Sequence, residues 1–288
     1  MIKAYYRLSK PGIVYGNLLT TIAAFLYASR WGLVSWDAWI VFLATVFGLG
    51  LVIASACVFN NFIDRDIDRK MKRTKNRALA TGELSNENAL LFATIIGLIG
   101  LTLLIAFVNL LSAFIAFVGF AVYVFAYTLL KRTTAWATEI GSISGAVPIL
   151  VGYTAVTNRF DLVALMLFAI MIFWQMPHFF AIALFRFDDY AAANIPTLPL
   201  KKGARVTNIR ALIYIVLFAI GVLALTVLGY AGYWYLVVVE IAAVVWFWRG
   251  TQGFAAVHTE AWARKFFFTS LVVLLVFAAM LSIANLVF

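Results

Sequence analysis

Charge is what this chain has least of. Asp, Glu, Lys and Arg make up 12% of its 288 residues, while 65% are hydrophobic. A soluble globular domain is about 25% charged and about 45–50% apolar, so the composition excludes an ordinary soluble fold and points to an integral membrane protein. Cysteine occurs once, as Cys57, which excludes an intrachain disulfide or a cysteine-based metal site; it reads as a small buried hydrophobe. Segments alternating apolar and polar residues, the mark of a transmembrane β-barrel, are absent. The N-terminus starts basic (Lys3, Arg7, Lys10) and then turns apolar. That run outlasts the 7–15 residues of a signal-peptide core, so it reads as a retained first span. No Arg/Ser-rich transit peptide precedes it, which favours a bacterial inner membrane.

Long uncharged runs are what the chain has instead. A span needs about 20 apolar residues. Pro11–Ser29, Ala38–Ile63, Ile140–Asn158, Leu162–Phe185 and Phe266–Phe288 each supply one. Asn88–Leu130 supplies two, broken at Asn109–Ser112, and Ala211–Trp248 two more, turning at Gly229–Gly232. The expected fold is therefore all-α, with nine transmembrane helices in a single domain covering residues 1–288. Nine spans put 20 of the 22 Lys/Arg on one side and leave only Arg30 and Arg159 on the other. The positive-inside rule makes the crowded side, with the N-terminus, cytoplasmic. The net charge of +10 thus reflects topology, and no nucleic-acid partner is implied.

Two connections stand apart, residues 64–87 and 186–208. Each opens with acids (Asp64, Asp66 and Asp68; Asp188 and Asp189), then carries bases around a glycine (Gly82; Gly203). The near-constant offset between them predicts a duplicated unit of about four helices, with the site at the repeat interface. Asn60, Asp64 and Asp68 are spaced i, i+4, i+8, which puts three oxygen ligands on one helix face. Mg²⁺ takes one or two carboxylates and lets substrate phosphates complete its shell. Lys70, Lys72, Arg73, Lys75 and Arg77 follow at once and could hold phosphate oxygens. The plainer alternative is a solvated topogenic loop with helix-end pairs such as Asp64–Arg69. It accounts for the bases but not for a carboxylate face, because acids contribute little to topology. Diphosphate chemistry inside a membrane suits an isoprenyl diphosphate, with its polar head and apolar tail. Aromatic faces could then stabilise an allylic cation and exclude water.

N-x-x-x-D-x-x-x-D at 60–68, followed by a basic segment, resembles the first motif of the UbiA superfamily of intramembrane prenyltransferases. "DRKMKRTKNRALATG" at 68–82, "YTLLKRTT" at 127–134, "GSISGAVPILVGY" at 141–153, "WQMPHFFAIALFRFDDY" at 174–190 and "NIPTLPLKKG" at 194–203 narrow the resemblance to its haem-modifying branch, over nearly the whole chain. The resemblance implies transfer of farnesyl from farnesyl diphosphate to a vinyl group of haem B, with addition of water, to give haem O and diphosphate. It implies Mg²⁺ as the metal and nine helices around a central cavity with a cytoplasmic rim. Its implied partners are proteins that deliver haem or process it further, including oxidase assembly. By position it makes Asn60, Asp64 and Asp68 first-motif ligands. Arg73 and Arg77, with Lys131 and Arg132, become diphosphate contacts, and Asp189 and Tyr190 fall in the second motif. Many members carry a second D-x-x-x-D. Here Ala192 and Ala193 stand where its second acid would be, so the ligands of a second metal, Asp188 or Asp189, stay open.

Other residues are weighed singly. His178 follows Pro177, ~12 Å inside the end of its span at 1.5 Å per residue. Polar groups there are functional by default. It could bind haem iron, act on the vinyl carbon or its water, or satisfy carbonyls freed by Pro177. His258 reads as solvated. Glu240, mid-span, and Glu139, at a span's start, read as neutral or snorkelling groups or as functional ones. Lys10 and Asn17 share a face that could reach the rim. Trp174 and Tyr127 either line the cavity or pack. Two rival functions remain: a prenyltransferase with another acceptor (4-hydroxybenzoate, a naphthoate or chlorophyllide), and a non-catalytic haem carrier. "QMPHFFA" and "DDY" favour haem over the other acceptors, and a carrier needs no carboxylate face.

Overall fold

The computed structural model describes residues 2–256 and 259–286. His258 lies outside the described residues. Among them, nine helices are long and apolar enough to cross a membrane: α1 (Pro11–Ser29), α2 (Trp36–Ile63), α3 (Asn86–Phe107), α4 (Leu110–Leu130), α5 (Ala137–Thr157), α6 (Leu162–Phe185), α7 (Leu198–Val227), α8 (Tyr233–Phe254) and α9 (Thr259–Ile283). The chain is a multi-pass membrane protein. Large apolar side chains such as Phe47, Leu91, Phe114, Ile220, Val244 and Leu275 are exposed on its outside, as a hydrocarbon solvent requires.

Side-chain caps start several spans by satisfying first-turn N–H groups. Ser35 accepts from Ala38 N–H at 3.1 Å, Ser85 from Asn88 at 3.2 Å, Asn109 from Ser112 at 2.8 Å and Asp161 from Ala164 at 3.0 Å. The break between α3 and α4 is therefore narrower than expected: Asn109 caps α4, and Ser112 already lies within it.

Two spans begin earlier than their apolar runs. α7 starts at Leu198 rather than Ala211, and α9 at Thr259 rather than Phe266. Charged residues end a hydropathy run but not a helix, so Lys201, Lys202, Arg205, Arg264 and Lys265 ride on helical turns. Inside α7 the backbone kinks at Gly203 (φ 78°, ψ 168°), a region essentially reserved for glycine. The expected loop 186–208 is consequently mostly helical, with a short helix at Phe187–Ala192 before α7. Residues 64–87 likewise fold into short helices at Arg65–Asp68 and Ala78–Thr81, the latter closed by Gly82 (φ 82°).

The helices pack closely where small residues meet. Gly152 of α5 abuts the Thr21 carbonyl of α1, and Gly100 of α3 abuts that of Gly48 in α2. The central core joins α1, α5 and α6 to α7, α8 and α9, with Trp246, Phe218, Phe266, Phe277 and Tyr235 fully buried. A further helix, Ile2–Leu8, precedes α1. It packs Ala4 and Leu8 on Val58, Leu79, Leu84 and Ala89, and Asn61 Nδ2 donates to the Leu8 carbonyl at 2.6 Å. This anchor places Lys10, a left-handed residue (φ 49°), over the end of α2.

Candidate active site

The end of α2 carries the first acidic motif. Asn60, Asp64 and Asp68 are 2%, 3% and 2% exposed. The helix ends at Ile63, yet the i→i−4 bonds continue, from Asp64 N–H to Asn60 O (2.9 Å) and from Asp68 N–H to Asp64 O (2.8 Å). The three side chains therefore stay aligned across the junction.

Each is met by a cation from elsewhere in the chain. Lys10 Nζ donates to Asn60 Oδ1, while Asn60 Nδ2 donates to Thr128 Oγ1 at 2.9 Å. Lys131 Nζ donates to Asp64 Oδ2, and Arg132 Nη2 lies 3.8 Å from Asp64 Oδ1. Arg77 Nη1 reaches both oxygens of Asp68, at 3.0 and 2.8 Å. Burial pushes the Lys10 ammonium down to about 8, and the charges of Arg77 and Lys131 push the same way. Four cations thus converge on two carboxylates and an amide.

Asp66 sits off this face and is exposed, as a surface residue would be, but it is not idle. It binds both terminal nitrogens of Arg132, at 2.9 and 2.8 Å, and that contact holds its carboxyl below its ordinary value. Arg132 also donates to the Ile63 carbonyl. The Asp64–Arg69 pair considered above does not form; Arg69 Nε donates instead to Ala80 O at 2.8 Å.

The second loop folds onto the first. Lys72 N–H donates to Asp189 Oδ1 at 2.9 Å, and Arg186 Nη1 lies 3.9 Å from Asp189 Oδ2. Beneath this contact Ile67 and Met71 from one loop pack with Ala193 and Ile195 from the other, with Tyr190 alongside. Burial raises the Tyr190 hydroxyl. Asp188, by contrast, is exposed, as are the Lys72 and Arg73 side chains.

α4 contributes through a π-helical stretch, Val122–Tyr127, a feature frequent at functional sites. It stacks Tyr123 on Tyr127 (centroids 5.4 Å, 24°) and places the Tyr127 ring 5.4 Å from Lys131 Nζ. It also turns Thr128 toward Asn60. Deeper in α6, Trp174 Nε1 donates to Ser270 O at 2.9 Å and His178 Nδ1 pairs with Ser270 Oγ at 2.7 Å. The His178 ring does not serve carbonyls freed by Pro177; its partner is on α9. Asn17 turns back onto its own helix, donating to Ile13 O at 2.8 Å. Glu139 pairs with Arg210 at 3.7 Å. Glu240 lines an outward groove between α7 and α8, among Ile215, Ile220 and Val244.

Sequence patterning does not single out Asn61, Thr128, Tyr123 or Ser270. Asn61 carried a signal of another kind, as a second amide at the end of an apolar span. A serine or threonine within a span carried none.

The profile of the UbiA prenyltransferase family matches residues 17–272. The chain belongs to the UbiA prenyltransferase family. Among its relatives, the protoheme IX farnesyltransferase of Yersinia enterocolitica is 47% identical over 98% of this chain and 95% of its own length. That of Cronobacter sakazakii is 49% identical over the same shares. Solved UbiA-fold structures align over almost the full length. A digeranylgeranylglyceryl phosphate synthase superposes with TM-score 0.77 at 19% identity, covering 98% of each chain. A UbiA homologue from Archaeoglobus fulgidus, bound to DMAPP and Mg²⁺, superposes with TM-score 0.68 at 14% identity, covering 97% of this chain and 99% of that one. At these identities the likeness establishes the fold alone.

Proposed function

We propose that the chain is a Mg²⁺-dependent prenyltransferase that moves farnesyl from farnesyl diphosphate to a vinyl group of haem B, with addition of water, giving haem O and diphosphate. The bond from Lys72 N–H to Asp189 carries the reading. It draws the second acidic loop onto the basic end of the first, beside Asn60, Asp64 and Asp68. The name borne by relatives at 47–49% identity supports haem B as the acceptor.

The donor set fits a hard cation. Among the described residues no three His, Cys, Asp or Glu gather at one point, but Mg²⁺ needs only one or two carboxylates. Asp64 Oδ1 is buried with no hydrogen-bond partner among the described residues, while Lys10, Lys131 and Arg77 cover Asn60 Oδ1, Asp64 Oδ2 and Asp68. Asn60, Asp64 and Asp68 would hold one metal; of the second loop's acids, Asp189 accepts from the first loop and Asp188 is exposed. When bound, Mg²⁺ would neutralise charge on the leaving diphosphate. Lys72, Arg73, Arg77, Lys131 and Arg132 hold diphosphate oxygens through charge-assisted bonds.

The C1–O bond of the farnesyl ester breaks with its electron pair going to diphosphate. The terminal vinyl carbon bonds to C1, and water adds to the electron-poor carbon left behind, giving up a proton. Tyr123, Tyr127 and Tyr190 present π-faces that stabilise a developing allylic cation. In this reading helices surround a central cavity, the two loops are halves of a duplicated unit in a single domain, and the rim is cytoplasmic in a bacterial inner membrane. Both loop glycines adopt positive φ, in keeping with duplication. Haem-delivery and downstream haem-processing or oxidase-assembly proteins are the partners it implies.

Incubating the purified protein with haem B, farnesyl diphosphate and Mg²⁺ tests the proposal. Haem O is expected by mass, and excess chelator abolishes it. Absence of product with Mg²⁺ present, or prenylation only of a non-haem acceptor, rejects it.

A further inference from the structure

His178 and Trp174 are one turn apart on α6, and both are tied to one residue of α9. Trp174 Nε1 donates to the Ser270 carbonyl, and His178 Nδ1 lies 2.7 Å from the Ser270 hydroxyl. The two rings stack, with centroids 4.9 Å apart at 27°, and Phe267 closes on the imidazole at 4.7 Å. Ser270 is fully buried, while His178 is half-buried.

The hydroxyl has a single proton, and its oxygen lies 2.6 Å from Phe267 O and 2.7 Å from His178 Nδ1. With that proton on the Phe267 carbonyl, the same oxygen accepts from His178. In that arrangement Nδ1 carries the imidazole hydrogen, and in the neutral ring Nε2 is left with a free lone pair. Nε2 has no hydrogen-bond partner among the described residues. Aromatic contacts fix the ring plane, so its orientation is set before any ligand arrives. This is how a metal-ligating histidine is prepared when its second nitrogen is held by an outer-shell acceptor.

We infer that Ser270 is a positioning residue that locks His178 in the Nδ1–H tautomer, so that Nε2 binds the iron of haem B as an axial ligand and seats the porphyrin for prenyl transfer. The inference rests on the haem-farnesylating reading above and adds to it the contact that fixes the acceptor.

The test is an optical titration of haem B into the full-length protein in detergent, for wild type, His178→Ala, Ser270→Ala and Ser270→Thr, with thermal midpoints to monitor folding. Wild type should give a nitrogen-ligated haem spectrum that His178→Ala loses. Ser270→Ala should weaken haem binding by about 10- to 100-fold, as for other outer-shell partners, while Ser270→Thr, which keeps the oxygen, restores it. A Ser270→Ala variant with wild-type affinity and spectrum overturns the inference, as does a wild-type spectrum that His178→Ala leaves unchanged. The two readings fail separately. Haem O formation with a spectrum indifferent to Ser270 sinks the inference alone. Ser270-dependent ligation without haem O formation sinks the enzymatic reading alone.

Discussion

Asp64 and Asp66, two residues apart, divide the labour around Arg132. Asp64 is buried, with Lys131 on one oxygen and Arg132 3.8 Å from the other. Asp66 is exposed and holds Arg132 through both terminal nitrogens. Replacing Asp64 by Asn removes the charge that would hold the metal and strands the Lys131 ammonium. A metal contributes several kcal/mol to a transition state, so haem O formation should fall by at least ~100-fold, equivalent to about 2.7 kcal/mol. Asp66→Asn should be mild, because an exposed ion pair contributes up to about 1 kcal/mol. It frees Arg132, and the KM for farnesyl diphosphate rises by no more than about 5-fold.

The pH dependence of that pair has a definite sign. Arg132 holds the Asp66 carboxyl below 3.8, so the pair is intact above that value and is lost only as pH falls through the lower folded value. The KM ratio of Asp66→Asn to wild type should stay flat from about pH 5.5 to 8 and move toward one only once the pH falls below the ordinary carboxylate value of about 3.9; an inflection near neutrality contradicts it. Residue spacing made Asn60, Asp64 and Asp68 legible as one face. It could not pair them with Lys10, Lys131 and Arg132, because those contacts cross 50 to 68 residues of chain and exist only once α1, α2 and α4 have packed.

At the level of elements, two glycines set geometry that other residues cannot. An added Cβ at Gly152 would stand 2.1 Å from the Thr21 carbonyl oxygen. Gly152→Ala should therefore wedge α5 from α1 and cost about 1–3 kcal/mol, the usual range for overpacking. Gly203 has open space around it, so Gly203→Ala costs only backbone strain, about 1–3 kcal/mol, and should disturb the second loop more than the bilayer core. Unfolding midpoints in detergent measure both, and wild-type stability in either variant contradicts the packing described. The nine spans were legible because a continuous apolar run leaves few alternatives. The starts of α7 and α9 were not, since charges at a membrane surface interrupt hydropathy without interrupting hydrogen bonding. The π-helical stretch of α4 had no sequence signature at all.

For the whole molecule, the proposed sidedness rests on charge. With nine spans, the proposed cytoplasmic face carries the Lys/Arg-rich connections, and Arg30 and Arg159 lie opposite. Cys57 is buried, so introduced cysteines report without a competing thiol. In intact cells, a membrane-impermeant maleimide should label Arg159→Cys and spare Lys75→Cys, both exposed positions; the reverse pattern inverts the topology. The two acid-then-base loops are proposed to form one metal-dependent diphosphate clamp serving farnesyl transfer to haem B. The most direct test is haem O formation by wild type and by the Asp64→Ala/Asp68→Ala double variant, with farnesyl diphosphate, haem B and varied Mg²⁺. Wild type should give Mg²⁺-dependent haem O, and the double variant none above background at any Mg²⁺ concentration. Haem O from the double variant at the wild-type rate would contradict the clamp.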